Sequence, residues 1–449
     1  MQEKSENKTI YKLIYYLLIG SAFSSLIIYM IYLNNYFFSD DFVLISDSIN
    51  KATIFKPISS HLRPVVRVHF MIINEFFLNS SFIAHLFSLM LHVFASLSLW
   101  LFLRNKFSSK VAIISSLLFL SSFRHNEAVF WVSAIGVIYC FLFVFLSLYF
   151  YEKEKNLMAV MFLLLSMFSY ELWLLLPFAF LLLKKNKKII YLSFIFSVSY
   201  IFLIFKNHYI NTYGGFSFRK FPNKFSYFIT ATFSPFSLSS ENFLSYIILL
   251  IFVGIAIFFI LKKKNNSILI LSIYFIPALI YSFSEYLPSR FFYFPTVLVY
   301  IMISIFFVIK KKYFKIVSSL ILLYFIILNP IILYVDGKDY KNFSHLYKKI
   351  IVSGEKNLRN LKPNEKISLI VAIPPNLLFN FLKIIKGTPK VFFYRGKFSV
   401  GGLIYVKDYV TFILNKFSKR HKKIECNGSM KVMQIGHYYP VYRYCFRVL

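Results

Sequence analysis

Six short polar elements interrupt an otherwise apolar chain, and their residue types could do chemistry. Ser39-Asp40-Asp41-Phe42 sets two adjacent carboxylates just after the first apolar run. Adjacent carboxylates repel, which can raise one pKa, and a carboxylate in a partly desolvated cleft can act as general base on a hydroxyl. Either Asp could instead cap a helix in a solvated turn. His61-Leu62-Arg63-Pro64, with Arg67 and His69, follows in the same loop. A guanidinium can clamp a phosphate through its bidentate fork; such a segment could also face lipid headgroups. Arg124-His125-Asn126-Glu127, leading to Trp131, crowds four polar groups into a turn where Gly, Asn or Ser would serve. Glu171 lies in the break Ser169-Tyr170-Glu171 inside an apolar run, where a carboxylate must face a cavity or a partner. Arg290, within Ser289-Arg290-Phe291-Phe292, could hold an anionic ligand or snorkel to lipid phosphates. His85 and His92 are seven residues apart, on one helix face, with no further metal ligands nearby. Packing or hydrogen bonding accounts for them better than a metal does.

The elements that position these groups must lie in lipid. Of 449 residues, 58% are hydrophobic and only 15% charged; a soluble domain is roughly a quarter charged. Water cannot be the solvent for that much apolar surface. A soluble enzyme, a disordered chain and a disulfide-scaffolded domain are excluded. The net charge of +33 would suggest nucleic acid on a soluble protein. Here the lysines cluster between apolar runs, where a membrane protein keeps its cytoplasmic charges, so nucleic acid is not an expected partner. The three cysteines, Cys140, Cys426 and Cys445, have no metal-binding spacing. Cys426 and Cys445 could pair in an oxidising compartment.

Basic clusters at 104–110, 153–155, 184–188, 262–264 and 310–315, each placed in the cytoplasm, give an all-α polytopic fold of about 11 transmembrane helices. The expected spans are 11–33, 80–103, 111–123, 128–150, two short spans from 157–183 split at Glu171, 189–205, 242–261, 267–283, 291–309 and 316–334. The N-terminus is then cytoplasmic and the C-terminus extracytoplasmic. Residues 1–334 form the transmembrane domain, with a first external loop at 34–79. Residues 335–449 form a small extracytoplasmic α/β appendage, with a helical stretch near 340–360, strands at 367–373 and 390–394, and helical segments near 377–385 and 407–416. The polar elements collect at the outer ends of the spans.

In this order the motifs resemble those of the polytopic GT-C glycosyltransferases, and in particular the membrane half of the tetratricopeptide-repeat O-mannosyltransferase-like proteins and their bacterial relatives. The acidic pair Asp40-Asp41 matches theirs after the first span. Leu62-Arg63-Pro64-Val65 is similar to their "YRPL" loop. Ala84-His85-Leu86 with Leu91-His92 resembles their second span, and His125 to Ser133 resembles their "HTEAVAWVS" hairpin tip. Tyr170-Glu171 with Leu176-Pro177, and Ser289 to Pro295, resemble their "KE…LP" and "ERYLYLPS" elements. Ser122 and Phe123 replace the family's first His and Pro, Tyr170 its Lys and Ser289 its Glu, and the tail has no tetratricopeptide repeats. The resemblance spans about residues 34–300.

The resemblance implies a polyprenyl-phosphate-linked sugar as donor and a glycan, lipid or protein hydroxyl as acceptor, at the outer face of a cell membrane. Asp41, or its neighbour Asp40, is then the general base. Arg63, His125 and Arg290 bind the donor phosphate, and Glu127 and Glu171 orient those cations or the acceptor. One base and direct displacement imply inversion, unlike a two-carboxylate hydrolase. No cofactor is expected. An acidic pair could also hold a divalent ion, but the resemblance implies metal-independent chemistry. A lipid-linked glycan transporter or flippase is the rival from another class; it would carry charges along a transmembrane path or inverted repeats. A glycan polymerase or ligase would share substrates and topology.

Overall fold

The computed structural model describes residues 2–38, 41–48, 54–55, 62–206, 225, 228–229, 231–232, 264–282, 289–309, 312–358, 366–373, 421–423, 431–435 and 439–448. Among them the chain is mainly helical. The helices are α1 (Gln2–Ile31), α2 (Asp41–Ser48), α3 (Pro64–Phe77), α4 (Ser81–Lys106), α5 (Ser109–Ser121), α6 (Asn126–Phe130), α7 (Ile135–Glu152), α8 (Asn156–Met167), α9 (Leu176–Leu183) and α10 (Lys187–Lys206). Three more follow, Lys264–Ser282, Thr296–Val308 and a last helix, Lys312–Leu358.

Among the described residues, four stretches are long and apolar enough to cross a bilayer: Lys12–Ile31, Ser81–Lys106, Val132–Glu152 and Tyr313–Lys349. This is the mark of a membrane protein. Shorter apolar helices occupy Ser109–Ser121, Asn156–Met167, Glu171–Leu183 and Thr296–Val308. The expected span at 242–261 lies outside the described residues. Large apolar side chains stand exposed on the outer helices, among them Tyr16 and Phe23 on α1, Val198 and Phe202 on α10 and Leu320 on the last helix. Water would penalise such a surface; lipid tails accept it.

Local sequence sets the helix ends that matter. Ser80 opens α4 by accepting the Ile83 amide (3.4 Å), and Ser108 opens α5 by accepting that of Val111 (3.4 Å). Pro64 begins α3, where its missing N–H costs nothing. The polar break at Ser169-Tyr170-Glu171 interrupts the chain: Tyr170 is extended and a tight turn over Glu171–Leu175 leads into α9. Gly136 lets α7 approach that break. A Cβ there would lie 2.8 Å from the Ser169 carbonyl oxygen and 2.9 Å from Val66.

The last helix runs unbroken across 334–335, where the sequence divides the chain. The Asp336-Gly337 step resembles a helix end, but Gly337 sits inside the helix because the Tyr32 ring lies against it. A Cβ would overlap that ring. Pro330, also inside this helix, cannot donate to the Ile326 carbonyl. Ser21 of α1 supplies the missing donor, its Oγ bonding Ile326 O at 2.8 Å. In an apolar medium an orphaned carbonyl is costly, so Ser21→Ala should lower stability by about 1–3 kcal/mol, while Ser21→Thr should not. Thermal unfolding in detergent reads the difference.

The tail contains a four-stranded sheet in the order β2 (His421–Lys423), β4 (Tyr439–Val448), β1 (Lys366–Ile373), β3 (Lys431–Ile435). β1 is parallel to β3 and antiparallel to β4, with a bulge between Val371 and Ala372. The strand expected at 390–394, the helical segments at 377–385 and 407–416, and Cys426 lie outside the described residues.

Candidate functional site

The hairpin tip between α5 and α7 is the hub. Two tight turns, Phe123–His125 and Val132–Ala134, flank the single turn of α6. Ser122 begins the tip by accepting the Arg124 amide (3.3 Å) and the Tyr300 hydroxyl (2.6 Å). Its four polar side chains then go to four places. Arg124 lies over the Phe123 and Phe292 rings at 4.8 and 5.2 Å. His125 donates from Nε2 to Thr296 Oγ1 (3.0 Å), which donates on to the Tyr293 carbonyl (3.2 Å). Asn126 donates to the Asp336 carboxylate on the last helix, and its Oδ1 accepts the Glu127 amide (2.6 Å). Glu127 pairs with the Arg290 guanidinium, which stands 5.0 Å over Trp131.

A second cation repeats that unit. Arg63 donates from Nε and Nη2 to Glu171 Oε1 (3.2 and 2.9 Å) and from Nη2 to Oε2 (2.9 Å). Its guanidinium lies 4.2 Å over the Tyr170 ring. The pair forms because the Val65 amide donates to the Phe168 carbonyl (3.2 Å), fastening the start of α3 to the chain break. The two units thus join two of the three expected phosphate-binding cations to the two carboxylates expected to orient them, Arg63 with Glu171 and Arg290 with Glu127. Side-chain exposure is 18% and 14% in the first pair, 16% and 5% in the second.

Asp41 is 0% exposed. Its Oδ2 accepts the Phe38 amide (3.0 Å), and its Oδ1 accepts the amide (2.8 Å) and hydroxyl of Ser133. It therefore ties the first loop to the hairpin tip. A general base must reach its proton at hydrogen-bond distance, and in this conformation the Asp41 oxygens face protein. Asp40 and His61 lie outside the described residues.

His125 is enclosed as well. Its ring lies 4.2 Å from Phe119 and 4.3 Å from Tyr293, and burial followed by the neighbouring His92 holds its pKa well below the usual imidazole value. In this conformation the enclosed ring fastens the tip to the helix Thr296–Val308. His92 accepts the Tyr293 hydroxyl (2.7 Å) at Nδ1 and donates to the Leu120 carbonyl (3.1 Å). His85 reaches the Ser81 and Phe130 carbonyls. Both fix the tip, and no cluster among the described residues could hold a metal ion. Trp131 is buried against Phe38 beneath Arg290. Arg67 and His69 are likewise buried on α3.

Burial lowers the His69 pKa from 6.5 to about 4. Below pH ~6.5 the unfolded chain takes up a proton that the folded one refuses. Stability should be full above that pH and lost as pH falls toward 4, by about 3 kcal/mol in all. His69→Gln, which keeps a polar partner for the Tyr139 hydroxyl 3.2 Å away, should flatten an unfolding curve taken from pH 7 to 4.5.

Sequence reasoning missed the contribution of the last helix. Besides Asp336, Asn329 accepts the Phe123 amide (3.3 Å) and donates to Ser121 (3.2 Å), and Tyr340 and Tyr347 pack on Phe38. The available signal was polar residues near the end of an apolar run. No family model matches the chain, and no curated protein matches it. The side chains hold two guanidinium groups in fixed orientation beside aromatic rings, each on a carboxylate that an anionic group could displace.

Proposed function

We propose that the protein is a membrane glycosyltransferase that moves a sugar from a polyprenyl-phosphate-linked donor to an acceptor hydroxyl at the outer membrane face, with inversion, in surface glycan or glycoprotein assembly. The observation that carries this reading is the twice-built unit of guanidinium, carboxylate and ring, Arg63–Glu171–Tyr170 and Arg290–Glu127–Trp131. Departure of a lipid phosphate develops negative charge, and cations oriented in advance stabilise it without reorganising. In this reading the carboxylates hold the guanidinium forks until the donor arrives. Asp40 is the carboxylate for the acceptor hydroxyl, and Asp41 holds the loop that carries it. The chemistry needs no metal.

The reading includes about eleven spans, a cytoplasmic N-terminus and an extracytoplasmic tail. Reporters fused after Lys155, Lys188 and Lys264 should then read cytoplasmic, and one fused after Leu358 external. The decisive experiment incubates the purified protein in lipid nanodiscs with a radiolabelled polyprenyl-phosphate sugar and membrane glycans. Release of polyprenyl phosphate matched by label in an acceptor is the expected result. Movement of intact donor across a vesicle membrane without release would make the protein a transporter instead.

A further inference from the structure

The last helix has two faces beyond its apolar part. Asp336, Tyr340, Ser344 and Tyr347 are buried, against the tip and the first loop. Lys338, Lys341, His345, Lys348 and Lys349 are exposed. At about 100° per residue the five exposed positions fall within an arc of about 120°, away from the buried set. None of the four lysines has an ion pair among the described residues. Asp339, about 80° beyond the edge of the arc, is the one acidic residue between 338 and 349.

We propose that this face is a docking strip for an anionic polysaccharide, one bearing carboxylate or phosphate groups along its length. The shape of the charge selects the occupant. The apolar and cationic parts together, Tyr313–Lys349, cover 37 residues, about 55 Å of helix against a hydrocarbon core of about 30 Å. The strip itself runs about 16 Å along the helix axis, from Lys338 to Lys349. A layer of headgroups meets a crossing helix as a ring at one height. A row rising along one side instead matches a partner whose charges are strung out in a line. Exposed lysines attract such a partner through summed, salt-sensitive contacts. The opposite face of the same turns packs on Phe38 and Phe42, the residues that bracket the acidic pair. A polymer held on the strip would therefore lie one helix diameter, about 10 Å, from that loop. Only the polymer's role as acceptor or product rests on the glycosyltransferase reading.

The test uses the full chain in nanodiscs of zwitterionic lipid and fluorescein-labelled oligogalacturonate, with dextran as the neutral control. Oligogalacturonate should bind and dextran should not, and raising salt from about 50 to 200 mM should weaken binding. The variant Lys338→Gln, Lys341→Gln, Lys348→Gln, Lys349→Gln should lose roughly tenfold or more in affinity, and the corresponding four-Arg variant should keep it. Removing the same charge elsewhere, at Lys110, Lys153, Lys184 and Lys188, should leave affinity unchanged. The strip is refuted if wild type does not bind, if the four-Gln variant binds as wild type, or if the distant variant loses as much. It is also refuted if the four-Gln change abolishes capture by phosphatidylglycerol vesicles but spares the polymer. Binding without release of polyprenyl phosphate would leave the strip standing and remove the glycosyltransferase reading.

Discussion

Arg290→Ala should reduce use of the lipid-linked donor by about 10²–10³-fold, the loss seen when one preorganised donor to a developing oxyanion is removed. It should also weaken the fold, because Glu127 is left almost wholly buried without its cation. A buried charge stripped of its partner costs about 3–5 kcal/mol. The low end is expected, since the Arg290 amide still donates to Glu127 Oε2 (3.3 Å). These two losses can be separated. Arg290→Met combined with Glu127→Leu removes both charges, and replacing a buried pair by apolar residues is often neutral or stabilising. The double variant should therefore unfold near the wild-type temperature yet remain as poor a transferase as Arg290→Ala. If it recovers transfer as well, the Arg290–Glu127 pair is structural only and the phosphate-binding role is lost. Thermal unfolding and the donor KM and kcat of all three proteins settle it.

What the sequence makes legible here follows the physics of lipid. An ionisable group beside hydrocarbon is expensive wherever it occurs, so Arg63, Glu127, Glu171 and Arg290 stand out without any structure. Their pairing was not legible. Arg63 and Glu171 are 108 residues apart and Glu127 and Arg290 163, and nothing local says which cation meets which anion. The break at Tyr170 was readable because the polar Ser169-Tyr170-Glu171 interrupts an apolar run too long for one span. The continuity of the last helix was not, since Gly337 is a helix-ending residue by propensity and only the approach of Tyr32 explains its place. His125 and Trp131 mislead for a related reason. A polar or amphipathic side chain at a span's end suits an interface, but here α4 and the helix Thr296–Val308 pack on His125, and Phe38 and Arg290 cover Trp131.

Asp40→Asn should lower kcat by about 10²–10⁴-fold, the usual worth of a general base, with donor KM and unfolding temperature unchanged. Asp41→Asn should act differently. Its carboxylate accepts from Phe38 on one oxygen and from Ser133 twice on the other. An Asn offers one acceptor and one donor, so an N–H must face an N–H or O–H on one side. Leaving such a buried group unmatched costs about 1–3 kcal/mol, and the loop that carries Asp40 should loosen. Transfer then falls through a misplaced acceptor, seen mainly as a raised acceptor KM, while the acid limb of the pH–rate profile persists. In Asp40→Asn that limb should vanish from whatever activity remains, because the group that must be deprotonated is gone. The opposite pattern, a folded Asp41→Asn with no acid limb and a fully active Asp40→Asn, would move the base to Asp41. It would also require the Ser133 contacts to open during turnover. Wild-type turnover in both folded variants would remove the acidic pair from the chemistry altogether, and with it the single-base mechanism.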